Sequence, residues 1–264
     1  MSSDLELAIQ AARVAGDFLR QQYHQSHSIR MKSAIELVTE VDGQTERLIA
    51  EILRQGRPEY GFLGEEGSQG KQLATEAVWI VDPIDGTTNF VRHISVFAVS
   101  IGLAVHGEAV LGVIYQPILD ELFAAEKGCG ATLNGEPIHV SQTKEIGKSL
   151  LGSGFPYDAW NSPVDNVVQW GRAVKRAFGV LCSGVAALGL CEVAAGRLDG
   201  YWELNLFPWD IAAGAAIVSE AGGKVSTSTG ALFDPFGKSI IADNGLIHKE
   251  LIKLVKGETN LSEI

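Results

Sequence analysis

Basic residues and cysteine are both scarce in this chain. Lys and Arg number 21 of 264 residues against 32 Asp and Glu, a formal net charge of −11. Sequence-independent nucleic-acid binding needs a basic footprint, so that class is excluded as the main activity. The three cysteines, Cys129, Cys182 and Cys191, form no Cys-x-x-Cys pair and have no histidine at zinc spacing. Neither a disulfide framework nor a structural zinc site is expected. Cys182 and Cys191 lie in an apolar stretch and read as small core residues. Long apolar runs are missing too: nothing approaches the ~18 consecutive apolar residues of a membrane span. Met1–Glu6 shows no basic segment leading into an apolar one. A cytoplasmic protein with reduced thiols, engaging neither membrane nor nucleic acid, is the expectation.

What is present suits an ordinary globular chain, with 46% hydrophobic and 20% charged residues. A chain of this length buries a core large enough to fold without a metal staple. A bound metal would therefore serve chemistry. The acidic excess matters only if carboxylates converge in space, and that depends on motifs.

Ser3-Asp4-Leu5-Glu6 is a capping box, followed by Leu5, Ala8, Ile9, Ala12, Ala15 and Leu19 at helical spacing, so a helix is predicted over about 4–22. An extended segment follows at Ile29–Lys32, then a helix from about Asp42 to Leu53. Ala77–Val81, Ala98–Val105 and Ala109–Tyr115 read as buried strands, the last two joined by a tight turn at His106-Gly107. Glu121–Ala125 and Thr132–Val140 are weaker strands, with Asn134-Gly135 a turn signal. Polar residues 141–147 mark a join between an N-terminal lobe (1–145) and a C-terminal lobe (146–264). The second lobe offers strands at Ser149–Ser153 and Leu198–Glu203 and helices at Asp165–Arg176, Gly184–Ala195 and Ile211–Ala221. Strands and helices mix without strict alternation, which predicts a layered α+β architecture. The six histidines show no ligand spacing and read as loop or surface residues. Arg172, Lys175 and Arg176 read as a solvated helix face.

The chemistry concentrates at Asp82-Pro83-Ile84-Asp85-Gly86-Thr87-Thr88-Asn89, at the end of a buried strand. Pro83 fixes φ and Gly86 permits a left-handed turn. Two carboxylates held close repel unless a proton or cation lies between them. Hard oxygen donors of this kind suit Mg²⁺ or Mn²⁺ rather than zinc. Gly86-Thr87-Thr88 adds successive N–H groups and hydroxyls where phosphate could rest. Two further acidic elements are Gly64-Glu65-Glu66-Gly67 and Trp209-Asp210-Ile211-Ala212-Ala213-Gly214. Taken alone, the first is a solvated loop and Asp210 an N-cap.

In this order, Gly64-Glu65-Glu66, Asp82 through Phe90 and Trp209-Asp210-x-Ala212-Ala213-Gly214 resemble the inositol monophosphatase family of the lithium-sensitive, Mg-dependent phosphatase superfamily. Asp42 and Gly196-Arg197-Leu198-Asp199-Gly200-Tyr201-Trp202-Glu203 extend the resemblance over nearly the whole chain. Thr88 stands where nucleotide-bisphosphatase and histidinol-phosphatase branches more often carry Lys. The resemblance implies a five-layered α-β-α-β-α sandwich of the inositol monophosphatase and fructose-1,6-bisphosphatase type, assembled as a homodimer. It implies metal ligation by Glu65, Asp82, the carbonyl of Ile84, Asp85 and Asp210, with about two or three Mg²⁺ ions. Glu65, Thr87 and Asp42 are the implied catalytic residues, activating or organising the attacking water. Asp85, Gly86, Thr87, Ala186, Glu203 and Asp210 are the implied substrate contacts, Ala186 and Glu203 for hydroxyls. Lys32 matches a basic position near the entrance.

The implied reaction is metal-assisted hydrolysis of a phosphomonoester, inositol-1-phosphate first. Fructose 1,6-bisphosphate and histidinol phosphate are the enzymatic alternatives, and a regulatory binding protein is the non-enzymatic one. Two departures bear on specificity. Leu181 stands where many relatives carry Arg, and Asn205 where Gly is frequent.

Overall fold

The computed structural model describes residues 3–25, 27, 29–31, 37–67 and 76–258. Lys32 lies outside them. Helix α1 (Asp4–Gln22) begins as its sequence predicts: the Glu6 N–H donates to Ser3 Oγ at 3.1 Å and the Ser3 N–H to Glu6 Oε2 at 2.9 Å. A short antiparallel hairpin, β1 (Ile29–Met31) and β2 (Leu37–Thr39), leads to α2 (Glu40–Gly56). This helix starts earlier than Asp42 because Thr39 caps it, and Asp42 closes the capping box from the third position.

Seven strands form the larger sheet, in the spatial order β3 (Gly61–Gly64), β4 (Ala77–Asp85), β5 (Ala98–Val105), β6 (Glu108–Gln116), β7 (Glu121–Glu126), β8 (Ala131–Leu133) and β9 (Glu136–Pro137). All neighbours are antiparallel except β3 and β4. Turns at His106-Gly107 and Asn134-Gly135 take positive φ at both residues, as tight hairpins require. A short helix, α3 (Thr87–Val91), sits between β4 and β5.

The remaining elements are β10 (Leu150–Ser153), α4 (Val167–Val174), β11 (Gly179–Leu181), α5 (Ala186–Ala194), β12 (Gly200–Leu204), α6 (Pro208–Glu220), β13 (Lys224–Ser226), β14 (Ser239–Asp243) and α7 (His248–Lys256). Their strands form a second sheet, ordered β11-β10-β12-β14-β13.

The sheet faces explain the layering. Trp79, Val81, Ile101, Leu103, Val113 and Tyr115 share one apolar cluster with the buried stripe of α1 and α2. From the opposite face Ala98, Ile114, Phe123 and Ala125 join α5 and α6, and Tyr201, Ile240 and Ala242 of the second sheet meet the same helices. Alternation then turns Trp202 and Ile241 outward onto Leu251 and Leu254 of α7. The result is helices, sheet, helices, sheet, helices. The fold is the expected five-layered α+β sandwich. No helix among the described residues is long and apolar enough to cross a membrane.

Close approach of α6 to the larger sheet depends on small residues. A Cβ on Gly112 would overlap the carbonyl of Ala213, and one on Gly102 would press on the Ala213 backbone. This contact positions the site.

Several side chains depart from their sequence reading. Cys182 is exposed rather than in the core, because the chain leaves β11 there, whereas Cys191 is buried in α5. His248 is buried at the start of α7, its Nδ1 2.6 Å from Asp243 Oδ2. Arg172 caps the end of α7, donating to the Val255 carbonyl at 3.1 Å.

Candidate active site

Strand β4 runs through the acidic motif and does not stop before it. Residues three apart on a regular strand face opposite sides. The β4–β5 register shifts between Asp82 and Asp85, where Pro83 has no N–H to give, and the irregularity lets both side chains line one cavity. The cavity has a volume of about 500 Å³. Gly86 follows at φ 93°, the left-handed conformation its sequence position suggested.

Parallel pairing of β3 with β4 sets Gly64 opposite Val81, and the Glu65 N–H continues to the Val81 carbonyl at 3.2 Å. Glu65 therefore stands beside Asp82. Buried Glu46 on α2 supports this turn, accepting the Glu66 N–H at 2.7 Å. Sequence reasoning missed Glu46, although a carboxylate four residues after Asp42 on the buried face of α2 was a readable signal.

Asp210 arrives from α6. Ser100 pairs with Asp82 across the β4–β5 ladder and donates its hydroxyl to the Trp209 carbonyl at 3.1 Å. Asp210 is the third residue of α6 rather than its N-cap: Pro208 begins the helix, and the Asp210 carboxylate accepts the Phe207 N–H at 2.7 Å. Trp209 packs under the sheet against Val78 and Ile80, stacked on Phe207.

Asp85 reaches the other way, accepting the Ala187 N–H at the start of α5 at 2.7 Å. Ala186 lines the cavity beside it, with Glu203 from β12. Thr87 Oγ1 lies 3.0 Å from both Asp42 Oδ1 and the Ile84 carbonyl. A hydroxyl has one proton, so giving it to Asp42 leaves the Ile84 carbonyl lone pairs free. Asp42 is itself held by the Thr39 N–H at 2.9 Å and the Thr39 hydroxyl at 2.6 Å.

The structure thus brings Glu65, Asp82, Ile84, Asp85, Gly86, Thr87, Ala186, Glu203 and Asp210 to one cavity, with Asp42 behind Thr87. Tyr157, Asp158 and Asn205 also line it. Asn205 holds φ 59° and its amide donates to Asp158 at 3.3 Å. Leu181 does not line the cavity; it lies exposed on β11.

Electrostatics follow from burial. Burial, together with Glu65, Asp85 and Asp210, holds Asp82 well above the usual carboxylate range. Asp85 is pushed up to about 8 by burial, opposed by the Ala187 N–H and reinforced by Glu203 and Glu65. Glu203 is likewise pushed up to about 8 by burial, the Tyr201 hydroxyl opposing and Asp210 adding to the effect. Burial and the charges of Asp85, Asp82, Glu65 and Asp210 raise the Tyr157 phenol. Among the described residues no three acidic, imidazole or thiol groups converge as a closed metal cage. Instead Glu65 stands beside Asp82 and helps to raise its proton affinity.

No basic side chain is among the described residues lining the cavity. Carboxylates in that setting must be neutralised by protons or by cations. The carboxylate and carbonyl donors of Glu65, Asp82, Ile84, Asp85 and Asp210 are hard oxygens, so these residues fit Mg²⁺ or Mn²⁺.

With that geometry, residues 1–260 match the model of the inositol monophosphatase family. The chain belongs to the inositol monophosphatase family. An inositol-1-monophosphatase of Synechocystis is 43% identical over 94% of this chain and 86% of its own length. The solved inositol monophosphatase of Anabaena superposes with a TM-score of 0.89 at 39% identity, covering 98% of both chains. A relative named Nus factor SuhB, from Pseudomonas aeruginosa, is 38% identical over 97% of both chains. Inositol monophosphatases are metal-dependent phosphatases, and this chain is a phosphatase of that family.

Proposed function

We propose that the protein hydrolyses a polyol phosphomonoester, inositol-1-phosphate first, with Mg²⁺. The observation that carries this reading is the convergence of Glu65, Asp82, Asp85 and Asp210 on a cavity with no basic side chain among its described lining residues. A phosphate dianion would be repelled from such a cavity unless cations bind with it. Asp82, the Ile84 carbonyl, Asp85, Asp210 and Glu65 would hold Mg²⁺, about two or three ions, with Mn²⁺ as a substitute. Bound Mg²⁺ supplies Lewis acidity toward phosphoryl oxygens and makes water a stronger nucleophile.

The chain's own residues do the rest. Glu65 takes a proton from the attacking water while the Thr87 oxygen orients it, and Asp42 keeps the Thr87 hydroxyl proton turned toward itself. Backbone N–H groups at Gly86 and Thr87 face the phosphate oxygens. Water attacks phosphorus and gives one proton to Glu65, the ester P–O bond breaks, and the leaving alkoxide takes a proton from solvent, to which Glu65 returns its own. Glu203 and Ala186 contact hydroxyls of the leaving group.

Fructose 1,6-bisphosphate is a weaker candidate, since its second phosphate would find no cationic side chain among the described lining residues. Thr88 argues against histidinol phosphate. The retained acidic set argues against a purely regulatory role of the kind that the name of the Pseudomonas relative suggests for that protein. The lobes 1–145 and 146–264 are kept in this reading, supported by a larger sheet drawn from residues 61–137 and a smaller one from 150–243. A homodimer is part of it: Val167, Val168, Val174, Phe178 and Leu181 expose apolar side chains on α4, just before β11 and on β11, the edge strand of its sheet. A cytoplasmic location is the remaining part.

The test is phosphate release from inositol-1-phosphate, fructose 1,6-bisphosphate, histidinol phosphate and 4-nitrophenyl phosphate, with and without Mg²⁺ and Li⁺. Mg²⁺-dependent release, greatest for inositol-1-phosphate, is expected. Asp85→Asn keeps an acceptor for the Ala187 N–H and should stay folded while turnover falls at least ~10²-fold. Near-normal turnover of this variant at saturating Mg²⁺ would remove the ligand assignment.

A further inference from the structure

Glu203 is buried, and its carboxyl is wedged between two groups. Tyr201, two residues earlier on β12 and so on the same face, donates its hydroxyl to Glu203 Oε2. On the other side a Cβ at Gly154 would collide with the Glu203 carboxyl, so that carboxyl rests directly on the Gly154 backbone.

Both supports are themselves fixed. The Tyr201 ring fills the space left by Gly152 of β10 and Gly189 of α5, where any Cβ would strike it. Gly154 is held by fully buried Asn166, whose amide donates to the Gly154 carbonyl at 2.5 Å and to Ser153 Oγ at 2.8 Å. The Asn166 oxygen accepts the Trp202 indole N–H at 2.8 Å, and Ser153 donates to the Trp202 carbonyl at 2.7 Å. Strand β10 is thereby locked in register with β12 next to Glu203. Tyr201 does not line the cavity; Glu203 does.

We infer that Tyr201 is a positioning residue for substrate selection: its hydroxyl fixes the Glu203 carboxyl in the orientation that accepts a hydrogen bond from a polyol hydroxyl. A carboxyl whose side-chain torsions are free would lose that freedom on binding, whereas one clamped in advance does not. The inference rests on the polyol-phosphatase reading above.

The test compares kcat/KM for inositol-1-phosphate with that for 4-nitrophenyl phosphate, whose leaving group has no neighbouring hydroxyl. In Tyr201→Phe the ratio should fall about five- to tenfold, the scale of one net hydrogen bond, with the change in KM rather than kcat. Added to Glu203→Ala, Tyr201→Phe should change the ratio no further, because it acts only through Glu203. Gly154→Ala, which displaces Glu203 from the opposite side, should lower the ratio in the same way and serves if Tyr201→Phe folds poorly. An unchanged ratio in both variants overturns the inference, as does an additive effect in the double variant. Equal losses on both esters would mean a structural role only, and also overturn it. A wild type that cleaves 4-nitrophenyl phosphate but no polyol phosphate removes the substrate reading and the inference together.

Discussion

Thr87 and Asp42 stand 45 residues apart in the chain and 3.0 Å apart in space, hydroxyl oxygen to carboxylate. The same carboxylate caps α2 through Thr39, so the turn holding the implied catalytic hydroxyl is bolted to the start of a helix. Two substitutions separate the roles. Thr87→Val preserves shape and should cost about 10²-fold in kcat with little change in melting temperature. Asp42→Asn places a donor where acceptors are needed and should also destabilise by about 1–2 kcal/mol. Parallel kinetics and thermal unfolding distinguish them; a Thr87→Val enzyme of full activity would remove Thr87 from the mechanism.

Gly112 controls the approach of α6 to the sheet. Gly112→Ala must push the Ala213 carbonyl away and with it the start of the helix carrying Asp210. The expected cost is about 1–3 kcal/mol of stability. Mg²⁺ affinity measured by calorimetry should weaken as well, though residue 112 lines no part of the cavity.

Stability should depend on pH in a direction set by the buried carboxyls. Asp85 and Glu203 titrate near 8 in the folded, metal-free chain, against about 4 when unfolded. Between those values the folded state holds more protons, so stability falls as pH rises through 8. Thermal unfolding in EDTA from pH 5 to 9 should show the loss, and Mg²⁺ should reduce it. Mg²⁺ binding near pH 7 should release protons, read as a dependence of the binding enthalpy on buffer ionisation. A flat profile in EDTA would contradict the burial of these groups.

The apolar edge at α4 and β11 tests the dimer. Light scattering on wild type should give twice the 28.2 kDa of one chain. Val168→Asp with Phe178→Asp should shift it toward the single-chain mass, since two buried carboxylates without partners oppose association. A wild type that runs as a monomer would refute the dimer directly.

Local signals were legible where local physics decides. The capping box at Ser3, the apolar runs of β5 and β6 with the tight turn between them, and the Asn134-Gly135 turn involve neighbours in sequence, and each formed as read. Boundaries slipped where a distant or unusual partner intervened. Asp82 and Asp85 lie within β4, not beyond it, because β5 continues to pair with it past Pro83. Strands β13 and β14 and helix α7 were not foreseen, since they gain their stability by docking on β12 and its outer face. Glu46, Asn166 and Tyr157 carry no motif; only their neighbours show what they do.

By itself the sequence determined the family, the kind of donor at the site and the turn at Gly86, because these rest on residue identity at short spacing. Tertiary structure alone decided that Asp210 meets Asp82, through the fit of α6 onto Gly102 and Gly112. It also decided that Glu203 is clamped between Tyr201 and Gly154. Both are outcomes of close packing between segments far apart in the chain. Burial, which raises the proton affinity of these carboxyls, exists only once all five layers are in place.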